Sequence, residues 1–341
     1  MRLHASLEEA ATLVLGLRAA TRVVWELARD LPVSPADLVE ALAEIDWERR
    51  LPPGQTWAVR AGGRTPELRH SHYSALLVKD AVRDRFRRVG RACPLIDPQR
   101  PRVVIDLRIE RSGASVGLDL GASSLHRRAA RREVRAPLRE DLAAGLALLA
   151  GARKSPVIVD PFCGSGTFLA EAVSIAIGRS ARRNPASLAI SRLEPFRHLP
   201  LADLREGPSR PPRDTPIGFG FDRDAEVLDT ARRIVTRYGL EDEVVLARRP
   251  IERIEARNLP RGPGLVLTNP PWGRRLAGEE EPAWRALGSF ARRLPGWTLA
   301  ALSGDPSLTR HLGLRALRRF PVGVGGVDAR LLLYRLRGRS A

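Results

Sequence analysis

The stretch Val157-Ile158-Val159-Asp160-Pro161-Phe162-Cys163-Gly164-Ser165-Gly166-Thr167 decides the fold. Three β-branched apolar residues read as a buried strand, the glycine-rich run as a turn, and Thr167 to about Ile177 as a helix. Two glycines in such a turn let a ligand come close to the backbone, and the helix start offers free N–H groups. Asp160 stands at the carboxyl end of the strand, where open α/β sheets bind ligands. The spacing is neither G-x-G-x-x-G nor a Gly-Lys-Ser/Thr loop, so no phosphate cradle is expected. A carboxylate here repels a pyrophosphate and attracts an ammonium group. The residues therefore point to a cationic, amino-acid-bearing nucleoside such as S-adenosylmethionine. Cys163 has no histidine near it in the local sequence and reads as a small buried turn residue.

The same rhythm continues on both sides. Leu138 to Ala150 reads as an Ala/Leu helix, Ile217 to Phe221 as a second strand and Ala225 to Tyr238 as an amphipathic helix. Val244 to Leu246 gives a third strand and Leu265 to Thr268 a fourth. Strands alternating with helices imply a mostly parallel sheet with right-handed crossovers. Asp222 closes the second strand and is the residue type that holds ribose hydroxyls in nucleoside-binding α/β folds. Its alternative duty, capping the next helix, can be filled by Asp224. The distance from Asp160 to Asp222 far exceeds the about 20 positions of a compact βαβ unit. Arg179 to Pro216, rich in Arg and Pro and without periodicity, absorbs the difference as a surface insertion at 179–216.

The fourth strand runs into Asn269-Pro270-Pro271-Trp272-Gly273. Prolines straight after a buried strand stiffen its exit and leave carbonyls without a continuing ladder. Asn269 brings an amide oxygen, the Pro270 carbonyl lies beside it, and Trp272 offers a flat surface for a nucleobase. Two acceptors and a stacking face suit an exocyclic amine. The acceptors take its hydrogens and aim the nitrogen lone pair, so no strong general base is needed.

The chain has 341 residues, room for two domains of ordinary size. Its formal net charge is +18 and its pI about 11.4, which favours a polyanionic partner, RNA or DNA before an acidic membrane surface. Lys79 and Lys154 are the only lysines, so base composition of the genome explains arginine over lysine but not basic over acidic. Two cysteines exclude a disulfide framework and a cysteine zinc site, and no metal is expected. No apolar run approaches the ~18 residues of a membrane span. Glu8 and Glu9 stand where a signal peptide needs apolar residues, so a cytoplasmic location is expected.

The first 125 residues read differently, as short mixed α and β elements. Leu38 to Trp47 and His72 to Val89 are expected helices, and Trp57 to Arg60, Val103 to Ile109 and Ser115 to Asp119 expected strands. In the longer helix Val78, Val82, Phe86 and Val89 share a stripe, with Lys79, Arg83 and Arg87 repeating beside it. That basic row is either a solvated face or a set of side chains that track the phosphates of an RNA backbone.

Together, Asp-Pro-Phe-Cys-Gly-Ser-Gly-Thr at 160–167, Gly220-Phe221-Asp222 and Asn269-Pro270-Pro271-Trp272-Gly273 resemble the class I methyltransferases that modify exocyclic amines. More narrowly the chain resembles the THUMP-domain RNA guanine-N2 methyltransferases, closest to the guanine-N2 half of the bifunctional bacterial 23S rRNA enzymes. Ile45-Asp46-Trp47, His70 to Ser74, Val78 to Val82, Gly117 to Leu120 and Leu125-His126 are similar to THUMP-region segments, and Ala136 to Glu140 to the entry into the catalytic domain.

The resemblance implies an α/β fold. A Rossmann-like class I methyltransferase domain over 126–341 follows a smaller α+β THUMP RNA-binding domain over 1–125 whose ferredoxin-like beginning is truncated. Asp160, Phe162, Gly164, Gly166 and Asp222 would hold S-adenosylmethionine. Asn269, Pro270, Pro271 and Trp272 would orient the guanine amine, and Lys79, Arg83 and Arg87 would contact RNA.

Two positions depart from the family pattern. Trp272 stands where a tyrosine is usual, and Arg248-Arg249-Pro250 where an acidic residue near the adenine amine is usual. The chain ends near the strand expected at Leu331 to Leu336, so a second methyltransferase half, and a second activity, are not expected.

The leading reading is an enzyme that forms N2-methylguanosine in 23S rRNA. The alternatives are the same chemistry on tRNA, a DNA amino-methyltransferase, and a non-catalytic RNA-binding assembly factor. The N-terminal segments speak against DNA, and the intact Asn269 to Trp272 run against loss of activity.

Overall fold

The computed structural model divides the chain into one unit of residues 1–125 with 181–207 and another of residues 126–180 with 208–341. It describes residues 1–121, 125, 138–179, 181, 184–205, 215–272 and 278–337. His126, Ala136, Pro137 and Gly273 lie outside the described residues, as do parts of the 179–216 segment.

In the first unit α1 (Leu7–Gly16) precedes β1 (Val24–Leu31), and α2 (Pro35–Ala43) and α3 (Trp47–Arg50) precede β2 (Trp57–Gly62). Then follow α4 (Ser71–Arg88), β3 (Val103–Glu110) and β4 (Gly113–Asp119). The sheet order is β1-β4-β3-β2, antiparallel except for the β2–β3 pair. One face is apolar: Val103, Ile105, Leu107 and Ile109 alternate inward on β3. They pack with Val78, Val82 and Phe86 of α4, whose stripe ends there because Val89 is exposed. The helix expected over 38–47 is two helices, broken between Ala43 and Trp47.

The 179–216 segment differs most from its expectation. Its part within 181–207 belongs to the first unit and supplies part of that unit's core. Leu188, Ile190, Leu193 and Phe196 are buried there, and Phe196 meets Trp25 edge-on with centroids 5.5 Å apart. The Ile190 N–H donates to the Leu120 carbonyl at 2.9 Å. Ile190 and Phe196 sit on single 3-10 turns, Ala189–Ser191 and Glu194–Phe196, and Leu188 and Leu193 stand just before them, between a first turn at Pro185–Ser187 and α7 (Leu201–Arg205). Turns this short show no hydrophobic period, so their burial is invisible in the sequence.

The second unit contains α5 (Glu140–Leu149), β5 (Ile158–Asp160), α6 (Thr167–Ala176), β6 (Gly218–Asp222), α8 (Ala225–Tyr238) and β7 (Val244–Arg248). It continues with β8 (Leu265–Thr268), α9 (Glu280–Ala291), β9 (Thr298–Ser303), β10 (Arg318–Val324) and β11 (Val327–Arg335). The sheet order is β10-β11-β9-β8-β5-β6-β7. Strands β5 to β9 pair in parallel, whereas β11 runs antiparallel to both β9 and β10. Glycines let helices sit close: a Cβ at Gly218 would collide with Val173, and one at Gly220 with Leu169, both on α6. Among the described residues no helix is long and apolar enough to cross a membrane.

Candidate active site

Strand order reverses between β5 and β8. β6 and β7 lie on one side of β5 and β9 on the far side of β8. In open α/β sheets such a reversal opens a crevice at the carboxyl ends of the strands. Asp160 ends β5, Asp222 ends β6 and Asn269 directly follows β8, so three separate stretches of sequence converge on one sheet edge.

Asp160 is only 1% exposed. Its Oδ1 accepts from the Thr268 hydroxyl at 2.6 Å and from the Phe162 N–H at 3.1 Å. Burial pushes its carboxyl up to about 7, and the nearby Asp222 charge pushes the same way against the relief from the two hydrogen bonds. Nothing in the sequence marks Thr268. It is a buried polar residue closing an apolar strand, and its hydroxyl has a partner because the register sets β8 beside β5.

Asp222 is anchored by backbone. Its Oδ2 accepts from the Gly164 N–H and its Oδ1 from the Asp224 N–H, both at 3.0 Å. The capping duty falls to Asp224, whose Oδ1 accepts from the Glu226 N–H at 2.9 Å. An ionised carboxylate has about four lone-pair sites, so Asp222 keeps acceptor capacity for a ligand.

The two glycines of the turn do different work. Both have left-handed backbone, at φ +52° for Gly164 and +77° for Gly166. A Cβ at Gly166 would stand 3.0 Å from the Ala231 Cβ, so this glycine lets α6 start against α8. A Cβ at Gly164 would meet nothing within 4 Å, so its open side is available to a ligand. Phe162 is half-buried at the start of the same turn. Cys163, directly before Gly164, is buried, and burial together with the Asp160 and Asp222 charges pushes its thiol well above the ordinary value. A thiol so held is not a nucleophile.

The Asn269 to Trp272 run is held by two indoles. The Trp272 Nε1–H donates to Asn269 Oδ1 at 2.7 Å, and the Trp284 Nε1–H donates to the Pro271 carbonyl at 2.9 Å. Trp284, fully buried on α9, has no motif around it that would mark it in the sequence. The Trp272 ring lies against Gly304, which leaves no room there for a Cβ. Among the described residues no hydrogen bond to the Pro270 carbonyl, the next residue after Asn269, is present.

The description RMKL-like methyltransferase domain matches residues 127–332, and that of the THUMP domain residues 34–119. The chain belongs to the RMKL-like methyltransferase family. It is 34% identical to "Ribosomal RNA large subunit methyltransferase K/L" of Marinobacter nauticus, over 98% of this chain and 48% of that protein. It is 32% identical to "Putative RNA methyltransferase slr0064" of Synechocystis, over 94% of this chain and 84% of that one. The chain thus spans about half the length of the K/L relatives it matches. The solved structure "Crystal structure of SMU.472, a putative methyltransferase complexed with SAH" shares the fold with a TM-score of 0.79 at 24% identity, covering 99% of this chain and 89% of that one.

Lys79, Arg83 and Arg87 lie on α4 of the first unit, where Arg83 and Arg87 are exposed and Lys79 half-buried. Arg87 is already paired with Asp84 at 2.7 Å. Among the described residues no group of three or more His, Cys, Asp or Glu could hold a metal ion.

Proposed function

We propose that this protein is an S-adenosylmethionine-dependent RNA methyltransferase that forms N2-methylguanosine, with 23S rRNA as its substrate. The observation that carries this reading is Asn269 directly after β8 at the switch point of a methyltransferase sheet, its amide oxygen held by the Trp272 indole, in a chain that also bears a THUMP domain. The K/L relatives are named for large-subunit rRNA, which favours that RNA over tRNA or DNA.

The residues present fit S-adenosylmethionine. Gly164 presents an open backbone face, Asp222 an acceptor for ribose hydroxyls, and Asp160 a carboxyl at the end of β5 that suits an ammonium group once ionised, above about pH 7. Phe162 and Gly166 shape the turn between them. When bound, the cofactor supplies an electrophilic methyl group. Asn269 Oδ1 and the Pro270 carbonyl accept the two hydrogens of the guanine N2 amine and aim its lone pair, while Pro271 stiffens the turn. The Trp272 ring stacks the base, which leaves its RNA context to reach the site. Lys79 and Arg83 on α4 bind the RNA backbone.

The test is transfer of labelled methyl from S-adenosylmethionine to separated 23S rRNA, 16S rRNA and tRNA from cells lacking this protein, followed by nucleoside analysis. Label in 23S rRNA as N2-methylguanosine supports the reading. Label in tRNA moves the substrate, and label on adenine or cytosine overturns the base assignment.

A further inference from the structure

Asn269 has a choice that its role cannot tolerate. Its amide presents oxygen on one side and NH2 on the other, and a half-turn about the last side-chain torsion exchanges them. An amide with its NH2 facing a substrate amine would set donor against donor. The next two residues cannot make this choice, because Pro270 and Pro271 have no N–H to donate to the amide oxygen.

Trp272 makes it. An indole N–H is a donor only, so the group 2.7 Å from Nε1 must be the amide oxygen. The flipped amide would place its own NH2 against that N–H. The indole is itself fixed, with its ring against Gly304. The turn between the two residues is fixed as well, because Trp284 donates to the Pro271 carbonyl from inside the fold. One lone pair of Asn269 Oδ1 is taken by Trp272, which leaves the other for the substrate amine.

We infer that Trp272, besides offering its face to the base, is a positioning residue that acts through Asn269: its indole N–H sets the amide so that oxygen, not NH2, meets the target nitrogen. The inference rests on the role given to Asn269 above. It also assigns a purpose to tryptophan at this position, since a phenyl or phenol ring stacks but carries no donor at the indole nitrogen.

Two measurements test it. In the ligand-free protein with 15N-labelled tryptophan, the Trp272 indole proton should exchange with solvent at least about tenfold faster in Asn269→Ala than in the wild type. Equal exchange would overturn the inference whatever the protein methylates. The second is a double-mutant cycle with Asn269→Asp, because a carboxylate has two equivalent oxygens and no wrong orientation. Trp272→Phe should lower kcat about tenfold in the Asn269 protein and about twofold or less in Asn269→Asp. Equal losses in the two backgrounds would mean that Trp272 serves only as a stacking surface. A wild type that methylates no RNA would defeat the proposed function instead, and the exchange measurement alone would then decide the orientation of Asn269.

Discussion

The Thr268 hydroxyl donates to Asp160 Oδ1 across 2.6 Å, joining the carboxyl ends of two parallel strands whose residues stand 108 positions apart. The bond ties the carboxyl end of β5 to the residue that leads into Asn269. Thr268→Val keeps shape and volume and leaves the buried carboxylate with one fewer donor. A loss of about 1–3 kcal/mol is expected, read from the midpoint of urea unfolding at pH 8.

Asp160 carries a pH dependence of definite sign. Its carboxyl rises from an ordinary 3.8 to about 7 in the fold, so the folded state binds the proton more tightly than the unfolded chain. Its contribution to stability is complete below pH 4 and is lost as pH rises through 7. Asp160→Asn should therefore raise Tm by a few degrees at pH 8 and leave it unchanged near pH 4. The same variant should bind S-adenosylmethionine roughly tenfold more weakly at pH 8, by calorimetry. Wild-type affinity should weaken as pH falls below 7.

The turn glycines should separate stability from binding. Gly166→Ala forces a Cβ against Ala231 at a left-handed φ and should cost about 1–3 kcal/mol. Gly164→Ala meets open space, so its larger effect should fall on the dissociation constant for S-adenosylmethionine, with about 1 kcal/mol of backbone strain. Thermal unfolding and calorimetry on both variants check the split.

The basic row on α4 should act unevenly. Lys79→Glu and Arg83→Glu should weaken RNA binding and flatten its dependence on salt, by about 0.7 in the log–log slope for each phosphate no longer neutralised. Arg87→Glu should do less, because Arg87 is already paired with Asp84. Filter binding at several salt concentrations reads the slopes.

Much of the catalytic unit is legible in the sequence, because its elements are periodic and punctuated. Strand β8 and helix α8 fall where their apolar run and amphipathic pattern place them. Asp160, Asp222 and Asn269 are each marked by a strand end, which is why the crevice can be foreseen. Strand β9, helix α9 and the first strand β1 are not among the elements read from the sequence, although Pro295-Gly296 and Gly304-Asp305-Pro306 bracket β9 with turn residues. The bonds that complete the site are hidden too. Thr268 to Asp160, Trp272 to Asn269 and Trp284 to Pro271 depend on register and packing rather than on spacing. The 188–196 stretch shows the same limit, because its apolar residues bury one turn at a time in a core set far from it in sequence.

The most direct measurement restores the gene to cells lacking it, as wild type or as Asn269→Ala, and quantifies N2-methylguanosine in purified 23S rRNA by mass spectrometry, with the variant's binding of S-adenosylmethionine checked by calorimetry. The predicted result is N2-methylguanosine restored by the wild type and absent with Asn269→Ala, whose cofactor affinity stays within about twofold of the wild type. Equal modification by the two proteins, or none by the wild type, would contradict the assignment of Asn269 and Pro270 as the acceptors that present the guanine amine.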